Sequence, residues 1–147
     1  MESPVIQSLK EVLADTFAMY LKTHNFHWNV TGPDFPQYHS FLEGLYNELW
    51  LATDAIAEHI RAADGFAPGS FTRFQELTSI QDELNIPSSL VMMSKLLIDN
   101  GIVMNTLKKA YTEAEAAGMI GLSNFLQDRT DIHAKHGWML RSIVRTA

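Results

Sequence analysis

One interruption, residues 66–87, splits this chain into two pairs of helical segments, and it constrains the fold more than any other feature. The stretch contains Pro68, Gly69, Ser70, Thr72, Thr78, Ser79 and Pro87. A connection this long inside a compact domain needs structure of its own or a function. Ser70 is placed to cap a short helix over Phe71–Leu77, so the segment reads as a crossover carrying one small helix.

Helical periodicity surrounds it. Ser3 followed by Pro4 reads as an N-cap and first helical position. Val5, Ile6, Leu9, Leu13, Phe17, Met19, Tyr20 and Leu21 then keep a helical spacing to about Asn29 or Val30, where Thr31-Gly32-Pro33 stops it. A second helix begins near Pro36 and runs through Leu42, Leu45, Leu49, Ala52, Ile56 and Ile60 until Gly65. Ser88 or Ser89 caps a third, which reaches about Ala117 with Gly118 as its stop. Ser123 is expected to cap the regular part of a fourth, ending at the C-terminus. No segment alternates with the period of a strand. Four long helices with one long central crossover predict an all-α, ferritin-like four-helix bundle with a short extra helix between helices two and three.

The 147 residues suit one domain, 1–147. The chain has no cysteine, which excludes disulfides, zinc fingers and thiol catalysis. No signal-peptide pattern opens it, and no apolar run approaches the ~20 residues of a membrane span. A soluble, cytoplasmic protein is expected. The formal charge of −6 disfavours generic nucleic-acid binding. Lys10 is the one basic residue among the first twenty, and Arg141 and Arg145 stand near the other end, so no Lys-rich arm is visible.

The second helix carries the chemistry. Taking His39 as zero, a rotation of ~100° per residue places Glu43 at about 40°, Asp54 at about 60° and Glu58 at about 100°. One imidazole and three carboxylates in a single stripe are costly to bury unless a cation joins them, and this donor set suits divalent iron, manganese or zinc. His39 and Asp54 are separated by roughly 22 Å along the axis, so one chain cannot close both halves on one metal. Two antiparallel copies can. When such helices pair about a two-fold axis, 39 meets 58 and 43 meets 54 on one dyad, midway between Glu48 and Leu49. An isologous dimer then creates two equivalent sites. Asn47 and Trp50 pair on the same dyad. The alternative reading is a solvated face, because charges at spacing four are common on helices.

In-chain di-iron bundles use Glu-x-x-His pairs. No histidine here has glutamate three residues before it, which argues against such a centre. The run Lys22-Thr23-His24-Asn25-Phe26-His27-Trp28-Asn29-Val30, followed by Gly32, Phe35, His39 and then Asp54 and Glu58, resembles the Dps family of mini-ferritins. The tail Lys135-His136-Gly137-Trp138-Met139-Leu140-Arg141 is similar to that family's last helix. The resemblance spans nearly the whole chain. It implies a di-iron ferroxidase centre shared between subunits, with His27, His39 and Glu43 from one and Asp54 and Glu58 from the other. It also implies a hollow homo-oligomer of about twelve chains that stores ferric iron, with hydrogen peroxide as the favoured oxidant. DNA coating is the alternative function, placed in doubt by the missing basic arm. A purely structural oligomer is another.

Several side chains have two readings. His24 is a further ligand or a packed polar residue. His59 stands where the family usually has arginine, and is an extra ligand or a packed histidine. His133 and His136 are a metal pair or, near a helix end, partners of the dipole. Trp28 and Trp50 intercept oxidising equivalents or pack an interface. Asp128 and Asp131 line an ion pore or an exposed face. The seven methionines read as core filler.

Overall fold

The computed structural model describes residues 2–145. It contains five helices: α1 (Pro4–Asn29), α2 (Phe35–Ala62), α3 (Phe71–Leu77), α4 (Ser89–Ala116) and α5 (Ile120–Val144). The long helices form a bundle in which α1 packs on α2 and α4, and α4 packs on α5. Leu9, Met19, Phe26, Leu49, Ile56 and Leu96 are fully buried along its axis. Met92 and Met93 are equally buried, as core filler should be.

The start signals work as expected at two helices. Ser3 Oγ accepts from the Ile6 N–H at 3.3 Å with Pro4 in the first turn, and Ser70 Oγ accepts from Arg73 at 3.2 Å. The stop of α2 differs from expectation. The helix ends at Ala62, and the left-handed position that follows is taken by Asp64 (φ 70°) rather than by glycine. Gly65 is needed for another reason: a Cβ there would lie 2.8 Å from the Ile6 side chain.

Ser123 is not a helix cap. Gly118 (φ 69°) closes α4, with Met119 N–H bonded to Ala114 O, and the chain re-enters a helix at Ile120. Ser123 therefore lies one turn inside α5, buried, donating through Oγ to Glu115 Oε1 at 2.5 Å.

The crossover is held by polar contacts as well as by buried Ile80 and the stack of Phe74 on Phe17 at 4.6 Å. Asp15, 1% exposed, accepts from Thr78 Oγ1 at 2.6 Å, Ser79 N at 2.8 Å and Thr106 Oγ1 at 2.7 Å. Lys22 donates to Gln81 O at 2.9 Å and pairs with buried Asp99 at 3.0 Å. Burial raises the Asp99 pKa, against the Lys22 charge that lowers it. Among the described residues, α4 has the length and apolarity of a membrane span. It packs between α1 and α5 and carries buried Asp99 and Asn100, as a core helix does.

Candidate metal centre

The elbow between α1 and α2 brings two histidines face to face. His27 lies in the last turn of α1, and His39 is one turn into α2. Their rings stack at 3.8 Å with planes 16° apart. His27 Nδ1 donates to the main-chain carbonyl of His39 at 2.8 Å, and His39 Nδ1 donates to the carbonyl of His27 at 2.8 Å. A carbonyl only accepts, so each Nδ1 carries the hydrogen and Nε2 keeps the free lone pair. This is how second partners commonly fix the tautomer of a metal-binding histidine. Phe35 also stacks on His39 at 4.9 Å, and Tyr46 meets His27 edge-on at 5.1 Å.

Glu43 joins this half. Its Oε1 lies 4.0 Å from His27 Nε2, and its side chain is 58% exposed. Asp54 and Glu58 lie further along α2, also exposed. The α2 stripe Leu42, Leu45, Leu49, Ala52, Ile56 and Ile60 is buried in the bundle, so the acidic residues flank it on the outer side. Among the described residues, no group of three histidines or carboxylates in one chain could hold a metal ion. The structure thus brings together His27, His39 and Glu43 and leaves Asp54 and Glu58 apart from them.

The remaining histidines are packed. His24 Nδ1 lies 2.9 Å from the Tyr20 hydroxyl, and its ring stacks on Tyr46 at 3.8 Å. His59 packs against Phe125, with rings 4.1 Å apart and tilted by 30°, and burial lowers its pKa. His133 and His136 are mid-helix, because α5 continues to Val144, and neither meets a helix end. Arg129 Nη2 donates to His133 Nε2 at 3.0 Å, and His133 Nδ1 donates to Asn100 Oδ1 at 2.8 Å. His136 Nε2 donates to Glu48 Oε1 at 2.7 Å. Arg129 forms a forked ion pair with the same carboxylate.

Burial opposes the Glu48 charge. Hydrogen bonds from His136 and Arg129, with the Arg129 charge, prevail and hold its pKa down to about 2. Burial first, then the Arg129 charge, pushes His133 down to about 3. No sequence signal exposes this network, because its members come from three helices. Asp128 and Asp131 lie on an exposed face of α5.

Known proteins place this architecture. The sequence profile of the ferritin-like domain matches residues 6–147. A DNA protection during starvation protein 2 from Bacillus anthracis is 32% identical over 144 residues, covering 98% of this chain and 99% of that one. A low temperature-induced protein of Nostoc is 31% identical over 95% of this chain and 79% of its own length. The crystal structure of Dps from Staphylococcus aureus superposes with a TM-score of 0.93 at 30% identity, covering 97% of this chain and 96% of that one. A match of such length, in sequence and backbone alike, makes this chain a member of the ferritin-like family, and within it a Dps-type mini-ferritin.

Proposed function

We propose that two copies of this chain lay their α2 helices antiparallel and complete two iron-oxidising sites. In each site, His27, His39 and Glu43 of one protomer face Asp54 and Glu58 of the partner subunit. The observation that carries this reading is the reciprocal tie of His27 and His39, which presets two imidazole lone pairs on an otherwise half-built centre. Ferrous iron is the substrate. The carboxylates neutralise its charge and the imidazoles add nitrogen ligation. With two ferrous ions in one site, hydrogen peroxide takes one electron from each. Its O–O bond breaks, two hydroxides form and no hydroxyl radical is released. Dioxygen is the alternative oxidant.

Ferric product moves into the cavity of a closed homo-oligomer of about twelve chains, built from these dimers, and is stored there as mineral. Residues 1–147 act as one domain, in the cytoplasm, and protect against oxidative stress. Exposed Asp128 and Asp131 concentrate ferrous ions at the particle's pores. Protonating the ligands opposes metal binding, so activity falls in acid.

A mixed oligomer tests the shared site. His39→Ala and Glu58→Ala should each be inactive alone. Co-assembled, a mixed pair contains one site with both lesions and one fully intact site, so ferric absorbance after adding ferrous iron and peroxide returns in part. No recovery in verified mixed dimers would end the proposal.

A further inference from the structure

Two sides of α2 are attached to the bundle in different ways. Toward α1 the helix packs closely. Toward α5 a cleft of about 570 Å³ opens, with Ser40, Gly44 and Glu48 on one wall and Asp131, Lys135 and His136 on the other. A Cβ at Gly44 would meet nothing within 4 Å, so the two backbones stand apart there. Among the described residues, the hydrogen bonds that cross from α2 to α5 all end on Glu48. Arg129 Nη2 donates to Glu48 Oε1 at 3.1 Å, Arg129 Nη1 donates to Oε2, and His136 Nε2 donates to Oε1 at 2.7 Å.

We propose that Glu48 is a positioning residue for iron oxidation: the grip of Arg129 and His136 on its carboxylate sets the axial register of α2, and so the span of the shared metal centre. This rests on the antiparallel pairing of α2 given under Proposed function. In that pairing Glu48 stands beside the dyad, about midway between Glu43 and Asp54. The paired helices run in opposite directions. When each slides a given distance along its own axis, the offset between the two half-sites changes by twice that distance. A site must be held to within about 0.5 Å, so a slip of roughly half that in each helix uses up the tolerance. The apolar contacts of Leu42, Leu45 and Leu49 are non-directional. The bonds on Glu48 have preferred lengths and angles, and they resist a slide that apolar contacts follow.

The grip is itself braced. Arg129, 5% exposed, also donates through Nη2 to His133 Nε2 at 3.0 Å. His133 is tied to Asn100 twice: its Nδ1 donates to Asn100 Oδ1 at 2.8 Å, and its carbonyl accepts from Asn100 Nδ2 at 2.9 Å. Gly137 leaves room for this tie, because a Cβ there would lie 3.0 Å from Asn100 Nδ2. The carboxylate on α2 is thus referenced through α5 to α4, which packs on both α1 and α5.

Register and metal affinity can be read separately. The chain has no cysteine, so Gln37→Cys, at the exposed start of α2, accepts one nitroxide per protomer. Antiparallel pairing puts two such labels roughly 35 Å apart along the axis, and pulsed electron double resonance on sparsely labelled oligomer measures that distance with no metal present. Glu48→Asp keeps the charge but shortens the side chain by one methylene. His136→Ala removes a donor, and His136→Gln restores one. Glu48→Asp and His136→Ala should shift or broaden the label distance, and His136→Gln should bring it back toward wild type. Cobalt(II), followed by its visible absorption, should bind the first two variants about tenfold more weakly or worse. Val12→Ala, a buried change on α1, should lower the melting temperature yet leave both readings at wild-type values. The proposal requires both changes in folded Glu48→Asp; either one alone, or neither, overturns it. Failure of the pairing itself looks different: wild-type labels at a distance that antiparallel α2 helices cannot give, or cobalt affinity untouched by His39→Ala and Glu58→Ala. Either result removes the shared centre, and this role for Glu48 with it.

Discussion

Arg129, on α5, grips the carboxylate of Glu48, on α2, with both terminal nitrogens, and so closes the side of the bundle where the two helices face each other. Arg129 is 5% exposed, and Glu48 is its charge partner. Glu48→Ala leaves the guanidinium buried with no counter-charge. Removing one member of a buried pair costs about 3 kcal/mol. Urea unfolding of the assembled protein should show a lower midpoint for Glu48→Ala than for Asp131→Ala, an exposed acidic position on the facing helix.

Acid should weaken the fold through two groups. His133 has its pKa lowered from 6.5 to about 3 in the folded chain. Between these values the unfolded chain binds a proton that the folded chain refuses, so stability falls as pH drops through that window. The Glu48 pKa is lowered from 4.5 to about 2, so its stabilisation is present above 4.5 and is lost as pH falls toward 2. Melting temperature measured against pH should therefore decline from about pH 6.5 downward. A folded His133→Gln variant should show a shallower decline over the same range. An equal slope in both proteins would remove His133 from this account.

Asp15 should control how firmly the crossover is seated. It accepts three hydrogen bonds from residues on two other parts of the chain while almost fully buried. Asp15→Ala strands those donors, at about 1–3 kcal/mol for each one left buried and unpaired. Limited proteolysis should cut Asp15→Ala within residues 78–83 faster than wild type. Asp15→Asn, which keeps one acceptor oxygen, should fall between them.

Duplex DNA should bind weakly. The formal charge is −6, and a protein that neutralises few phosphates gains little from counterion release. A gel-shift titration at physiological salt is expected to show no retarded band at micromolar oligomer. Tight binding would reveal a basic patch created by assembly.

The helices were legible because their signals are local. Ser3, Ser70 and the apolar period of α2 act within a few residues of where they stand, and α3 spans Phe71–Leu77 as its cap predicts. Ser123 misled because a capping residue type carries no information about which glycine turn precedes it. The turn at Gly118 had already restarted the helix. His133 and His136 misled for a different reason: their partners, Asn100 on α4 and Glu48 on α2, are far away in sequence. Spacing also could not reveal the carbonyl tie between His27 and His39, since it depends on the elbow geometry. The stripe of His39, Glu43, Asp54 and Glu58 was readable as one helix face. On the proposed reading, a partner subunit completes it.

The main chain, not the side-chain rotamer, governs those two imidazoles. Each ring is tethered to the backbone of the opposite helix, so swinging either one breaks a hydrogen bond across the bend between Val30 and Asp34. Gly32 sits in that bend at φ 120°, a conformation that favours glycine, with open space around it. On the proposed reading, this bend sets the spacing of the two imidazoles that would ligate iron. Any residue that relaxes this corner should alter iron affinity from a distance, without ever touching iron.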